Sequence, residues 1–310
     1  MSSFGVIDLG SNTFHLLIVE TKNQTEFQTI FRKRVFTGLS DGGIDLIKEE
    51  RITYGIETIT DFKNNLDFYN CNFLKVIGTA VLRSAKNRKD FIVQAEKILG
   101  TPIDVIDGMQ EADYIYNGIT LLPEANTGTH LIMDIGGGST EFILIKDGKK
   151  LFSKSYILGV GSLHELFNKS DPISKNELTL MANYITKTVS DLIPVIKKYS
   201  PDYLTGASGS FEVLQLMSGL NPDLVVLTKI EPKAFNSIYD KVVSADAKSR
   251  ENLEGLPIER VKLIVVGMVL KKTIFELVKP KYIMVSPYAL KEGVIKEMIT
   301  NEYNSNNVTW

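Results

Sequence analysis

His130-Leu131-Ile132-Met133-Asp134-Ile135-Gly136-Gly137-Gly138-Ser139-Thr140-Glu141 is an apolar run ending in aspartate, then three glycines, then small hydroxyl side chains. The same plan occurs near the start of the chain, at Val6-Ile7-Asp8-Leu9-Gly10-Ser11-Asn12-Thr13. Either stretch alone reads as a strand entering a tight turn, with the aspartate capping that turn. Two matched copies in one chain point instead to a duplicated unit.

Outward from these stretches the copies continue alike. The first runs on into strands at 14–20 and Phe27–Phe36, the latter with Arg32-Lys33-Arg34 interrupting its apolar alternation. The second runs into strands at 140–145 and 150–157, with Asp147-Gly148 as the hairpin signal between them. Ile52, Ile56, Ile59, Phe62 and Leu66 recur at three-and-four spacing, which predicts a helix over 47–69. Strands follow at 73–77 and 103–106, and helical stretches at 81–84, 90–99 (closed by Gly100) and 110–121. Strands alternating with helices predict the α/β class. The polar run Pro123-Glu124-Ala125-Asn126-Thr127-Gly128-Thr129 places a junction near residue 125, giving domains 1–125 and 126–310. A last helix over 286–300 is expected to pack back on the first domain, and a ligand is expected in the cleft between the copies.

Composition is consistent with two domains, since 310 residues exceed what one hydrophobic core usually serves. An apolar fraction of 44% is enough to fill both cores. No apolar run approaches the roughly 20 residues that cross a bilayer, and Met1-Ser2-Ser3-Phe4-Gly5 lacks a basic segment followed by an apolar one. A cytoplasmic protein with no membrane partner is expected. The single cysteine, Cys71, has no partner for a disulfide and no metal-ligand spacing around it. A net charge of −2 argues against a nucleic-acid partner, so an anionic ligand must be held by local groups.

The two turns supply such groups. Glycine lets successive backbone amides approach phosphate oxygens closely, which marks Gly10, Gly136, Gly137 and Gly138. Ser11, Asn12, Thr13, Ser139 and Thr140 add short donors. A carboxylate beside bound phosphate repels it unless a cation intervenes, so Asp8 and Asp134 imply a hard divalent ion, Mg²⁺ or Mn²⁺.

Residues 5–13 and 130–141, with Gly78-Thr79-Ala80-Val81-Leu82-Arg83 and Asp107-Gly108-Met109-Gln110-Glu111-Ala112, resemble the exopolyphosphatase and guanosine-pentaphosphate phosphatase (Ppx/GppA) family. That family belongs to the sugar kinase, Hsp70 and actin superfamily, and the resemblance covers nearly the whole chain in order. It implies two ribonuclease-H-like, actin-like domains flanking a cleft, and hydrolysis of a terminal phosphoryl group. Glu111 matches the family's catalytic glutamate, which orients and deprotonates the attacking water. Arg83 matches an arginine suited to clamping phosphate oxygens. Asp134 and Glu141 resemble a metal-associated acidic pair that shares one ion through the glycine turn. Lys86, Arg88 and Lys89 either guide an anionic chain or form a solvated helix face.

Other matches leave alternatives open. Thr205-Gly206-Ala207-Ser208-Gly209-Ser210 falls where the superfamily has a ligand loop, and is equally a plain turn. Arg260 sits where the family usually has Arg-Ala-Asp, with Lys262 in place of the aspartate. His15, His130 and His164 form no cluster in the sequence, and the resemblance is to the short, two-domain subgroup, with a dimer implied. The leading expectation is an exopolyphosphatase acting on inorganic polyphosphate. A guanosine pentaphosphate 5′-phosphohydrolase is the alternative, and an ATP-binding regulator of the actin and Hsp70 type is the alternative of another class.

Overall fold

The computed structural model describes residues 2–21, 23, 26–207 and 209–306. The chain forms two compact units: Met1–Gly118 with Leu290–Trp310, and Ile119–Ala289.

In the first unit, strands β1 (Ser3–Leu9), β2 (Thr13–Thr21) and β3 (Phe27–Phe36) form an antiparallel meander. Strand β4 (Phe73–Gly78) lies parallel to β1, and β5 (Ile103–Val105) parallel to β4, giving the order β3-β2-β1-β4-β5. Alternation along β1 and β2 sends Ile7, Leu9, Phe14, Leu16 and Ile18 to one face. There they bury against Ile59 and Phe62 of helix α1 (Glu49–Phe68), Val81 and Leu82 of α2 (Ala80–Ser84) and Phe91 of α3 (Arg88–Leu99). Helix α4 (Gly108–Ile119) follows β5, and the terminal helix α12 (Leu290–Asn306) packs on β1.

Three side chains pin α12. Lys75 Nζ on β4 donates to Glu297 Oε1 on α12 at 2.8 Å and to Tyr114 Oη on α4 at 2.7 Å. Tyr114 Oη in turn donates to the same Glu297 oxygen at 2.8 Å. A Cβ on Gly293 would stand 1.9 Å from the Tyr114 carbonyl oxygen, so only glycine lets α12 approach α4 this closely.

The second unit repeats the plan with an extra strand. Strands β6 (Thr129–Ile135), β7 (Thr140–Lys146) and β8 (Lys149–Tyr156) form the meander, and β9 (Tyr203–Ala207) runs parallel to β6. Strand β11 (Tyr282–Val285) is parallel to β9, and β10 (Thr228–Ile230) antiparallel to β11. The order β10-β11-β9-β6-β7-β8 thus contains the first sheet's order in mirror listing. Helices α5 (Val160–Phe167), α6 (Lys175–Thr188), α7 (Leu192–Tyr199), α8 (Gly209–Met217), α9 (Pro232–Ser244), α10 (Ala247–Arg250) and α11 (Ile264–Val278) accompany this sheet. Leu131, Met133, Ile135, Phe142 and Leu144 meet Phe211, Phe235, Val266 and Leu270 in its core. None of the described helices is long and apolar enough to cross a membrane.

The units divide after Gly118, ahead of the junction expected near residue 125. Residues 119–126 go with the second unit because Asn126, from the short 3₁₀ turn Pro123–Asn126, lies against the β7–β8 hairpin at Gly148. Its Nδ2 also donates to Thr120 O at 3.0 Å, which ties the preceding segment to the same place. The hairpin has the left-handed backbone its sequence predicts, with φ of 48° at Asp147 and 75° at Gly148.

Candidate active site

Both glycine turns sit at the carboxyl end of the first strand of a meander and close in the same way. Gly10 N donates to Thr13 O at 3.1 Å, and Gly136 N donates to Ser139 O at 2.9 Å. These two amides are therefore spent on the turn. Among the described residues, no protein acceptor meets the amides of Gly137 and Gly138.

Each turn is braced by the segment that follows its third strand. In the first unit, Thr37 N and Gly38 N donate to Asn12 O at 2.9 and 3.0 Å, and Ser40 N donates to Ser11 O at 2.9 Å. Ser40 Oγ also donates to Asn12 Oδ1 at 2.8 Å. In the second unit, Val160 N donates to Gly136 O at 3.1 Å and Gly161 N to Gly137 O at 3.0 Å. A Cβ on Gly159 would lie 2.0 Å from Gly137 O, so the brace depends on that glycine. Sequence reading missed both braces; the run Gly159-Val160-Gly161 was the available signal.

The first unit joins its turn to the two motif residues that follow it. Ser11 Oγ accepts from Val81 N at 3.2 Å, so it caps the first turn of α2 as well as lining the glycine turn. Arg83, at the far end of α2, reaches α4: its Nη1 donates to Ile106 O at 2.9 Å and to Glu111 Oε2 at 2.7 Å. Arg83 and Glu111 thus form a half-buried charge-assisted pair, their side chains 22% and 12% exposed. Both hydrogens of Nη1 are committed, so an incoming phosphate oxygen would meet Nη2 and Nε. Glu111 lies in the first turn of α4, positioned by a reciprocal cap. Asp107 Oδ1 accepts from Met109 N and Gln110 N at 2.8 and 2.9 Å, and Gln110 Oε1 accepts from Asp107 N at 3.1 Å.

The second unit gathers acidic side chains. The register pairs Asp134 of β6 directly with Glu141 of β7, and Glu141 with Ser155 of β8. Directly opposed residues on neighbouring strands share a face, with Cβ atoms about 4.5–5.5 Å apart. The two carboxylates therefore stand side by side, 8% and 1% exposed, on the face opposite the helix-covered core. Ser155 Oγ donates to Glu141 Oε1 at 2.7 Å. In the first unit the corresponding pair is Asp8 with His15, so Asp8 faces an imidazole where Asp134 faces a carboxylate.

As a donor set for a divalent ion, Asp134 and Glu141 are all oxygen, and no group of three or more acidic, His or Cys side chains forms among the described residues. Two carboxylates with the remaining positions left to water and phosphate oxygens suit Mg²⁺ or Mn²⁺ rather than Zn²⁺.

Several of the expected donors also serve the turns themselves. Thr140 is fully buried, and its hydroxyl donates to Leu158 O at 2.5 Å, which holds the β7 edge of the turn. Thr13 and Ser139 are buried, and their carbonyls close the turns. In the 205–210 segment the glycines make room for neighbours: a Cβ on Gly206 would fall 1.9 Å from the Phe211 ring, and one on Gly209 2.4 Å from Arg260 Nη2. Ser208 lies outside the described residues. His130 on β6 lies beside β9, its Nε2 donating to Thr127 O at 2.9 Å and its Nδ1 accepting from Thr205 Oγ1 at 2.8 Å. Burial pushes its pKa down.

The site can be compared with known proteins. A crystal structure of an exopolyphosphatase from Cytophaga hutchinsonii superposes with a TM-score of 0.92 at 30% identity, covering 97% of this chain and 98% of that one. An Aquifex aeolicus Ppx/GppA family member shares the fold, with a TM-score of 0.80 at 24% identity over 99% of each chain. A guanosine-5′-triphosphate,3′-diphosphate pyrophosphatase of Pseudoalteromonas translucida is 31% identical over 97% of this chain and 60% of its own length. The chain thus spans about three-fifths of that relative. With the Ppx/GppA phosphatase family model matching residues 17–302, two actin-like α/β units and the motif residues placed at the turns and on α2 and α4, the chain belongs to the Ppx/GppA phosphatase family.

Proposed function

We propose that this protein is an exopolyphosphatase that releases terminal orthophosphate from inorganic polyphosphate by attack of water. The observation that carries the reading is the Arg83–Glu111 pair, joined to the first glycine turn through Val81 and Ser11. A clamp for phosphate oxygens and a carboxylate for the water stand together on α2 and α4. Similarity to the Cytophaga hutchinsonii exopolyphosphatase over nearly the full length of both chains supports the choice of polyphosphate.

Glu111 accepts the proton of the attacking water and aims its lone pair at the terminal phosphorus. Arg83 engages the phosphate oxygens through Nη2 and Nε while its Nη1 keeps Glu111 in place. Within the first unit Ser11 and Asn12, and within the second the amides of Gly137 and Gly138, are each suited to receive phosphate oxygens. Asp134 and Glu141 would hold Mg²⁺ or Mn²⁺, which when bound offsets phosphate charge and supports departure of the shortened chain. We further read the protein as cytoplasmic and homodimeric, without a nucleic-acid or membrane partner.

The test is orthophosphate release from long-chain polyphosphate, guanosine pentaphosphate and ATP, measured side by side in Mg²⁺. Polyphosphate should give the highest kcat/KM. The similarity to guanosine-5′-triphosphate,3′-diphosphate pyrophosphatases favours guanosine pentaphosphate as the second substrate, and a higher kcat/KM with it would replace the reading. Turnover confined to ATP would point to a nucleotide-driven regulator.

A further inference from the structure

Lys271, on the middle of α11, is fully buried, yet no carboxylate pairs with it among the described residues. Its Nζ donates to Ser210 Oγ at 2.7 Å and otherwise lies near Met268 Sδ and over the Phe211 ring, 5.1 Å from its centroid. Ser210 stands in the first turn of α8, immediately after β9. Gly267 makes this approach possible: a Cβ there would sit 3.1 Å from Ser210 Oγ, 3.7 Å from Lys271 Nζ and 3.8 Å from Val160 Cγ1.

Two routes lead from this cluster to the acidic turn of the same unit. Helix α5 packs on α11, with Val160 Cγ1 facing the space a Gly267 side chain would take, and Val160 donates its amide to Gly136 O at 3.1 Å, so α5 links this face of α11 to the glycine turn. Ala207, at the end of β9, pairs with Asp134 in the parallel register, so the strand that leads toward α8 ends beside the carboxylate that faces Glu141. An amine without a counter-charge is costly to bury, and desolvation pushes the Lys271 pKa down to about 7, with the nearby Arg260 adding to the fall. A leucine or methionine would fill the same space at no such cost. A group kept against stability in contact with a site's scaffold is commonly there for the site.

We propose that Lys271 is a positioning residue of the phosphate site: by holding Ser210 Oγ it fixes the start of α8 against Gly267 and Val160, and so sets the Gly136-Gly137-Gly138 turn in the geometry that binds phosphate. The proposal rests on the exopolyphosphatase reading for its substrate, but its binding arm does not require turnover.

The experiment compares Lys271→Met, Ser210→Ala and the double variant with the parent. Three quantities are read: thermal midpoint, KM and kcat for long-chain polyphosphate, and the calorimetric Kd for inorganic phosphate in Mg²⁺. Lys271→Met should match or exceed the parent in thermal midpoint, because an apolar side chain of similar length replaces a buried amine. It should nonetheless weaken phosphate and raise KM by about tenfold, the usual worth of one well-placed hydrogen bond, with a smaller change in kcat. Ser210→Ala should give the same weakening, and the double variant no more than either single one. A merely structural lysine would lower the midpoint and leave Kd and KM alone; that pattern, or an unchanged Kd in a folded Ser210→Ala, overturns the proposal. If Lys271→Met does not fold, Ser210→Ala alone decides it on the same criterion. If the parent releases no phosphate from polyphosphate, the functional reading fails, whereas a tenfold weaker Kd in the variants still supports the positioning role and an unchanged Kd still removes it.

Discussion

Gly159→Ala probes the turn from outside it. Gly159 has φ −85° and ψ 151°, a conformation alanine adopts freely, so the substitution brings only steric consequences. The new Cβ would stand 2.0 Å from Gly137 O and 2.3 Å from both Gly137 C and Gly138 Cα. Carbon contacts become attractive only near roughly 3.5 Å, so one backbone must retreat by more than about 1 Å. Retreat breaks the bonds from Val160 N to Gly136 O and from Gly161 N to Gly137 O. Overpacking costs about 1–3 kcal/mol and each lost hydrogen bond about 1 kcal/mol, which sums to roughly 3–5 kcal/mol. For a unit of this size that is a fall of about 10 °C in Tm. Because the displaced atoms are the glycines read as phosphate donors, kcat/KM should fall further than stability explains when measured well below the new Tm. Gly100→Ala is the control: its φ is +67° with nothing within 4 Å, so it should cost about 1 kcal/mol and spare activity. If Gly159→Ala keeps the parent Tm and kcat/KM, the brace does not hold the turn and the reasoning is refuted.

Asp134→Asn should raise the Mg²⁺ concentration for half-maximal rate while leaving Tm within a few degrees; an unchanged metal requirement would remove Asp134 from the ion's ligands. Asp107→Ala should destabilise by about 1 kcal/mol through the lost α4 cap and lower kcat through a looser Glu111, whereas a loss of Tm with full kcat would separate the cap from catalysis. His130 has a folded pKa below its ordinary value, so the unfolded chain takes up its proton first as pH falls. Its contribution to stability is present above about pH 6.5 and lost as pH drops toward the lowered folded value. The decline of Tm between pH 7 and pH 5 should therefore be shallower in His130→Gln, and an equal or steeper decline would contradict this.

Much of the fold was legible because the local signals agreed. Asp147-Gly148 demanded a tight hairpin, and the apolar run at 130–135 marked β6 as a buried strand. The pairing of Asp134 with Glu141 followed from the length of the glycine turn, since the register makes them direct partners. Arg83 and Glu111 were each found by motif, but their contact was not, because it joins α2 to α4 through tertiary packing. The part Thr140 plays in the turn was hidden for the same kind of reason: composition marks a hydroxyl near a glycine turn, and only packing reveals that Leu158 O takes its hydrogen. Lys271 was invisible, since a lysine in an apolar helical run reads as a solvated side chain until α8 is seen to cover it. The placement of residues 119–126 turned on Asn126 meeting Gly148, a contact no polar run announces.

The central claim is that Glu111 moves the proton of the attacking water, and Glu111→Gln tests it most directly. Glutamine keeps the shape and a hydrogen-bonding oxygen for Arg83 Nη1, so fold and substrate binding should survive. Single-turnover release of orthophosphate from long-chain polyphosphate, at saturating substrate and Mg²⁺, should slow by roughly 10²–10⁴-fold with Kd unchanged. A folded Glu111→Gln protein that releases phosphate within a few-fold of the parent rate would contradict the account.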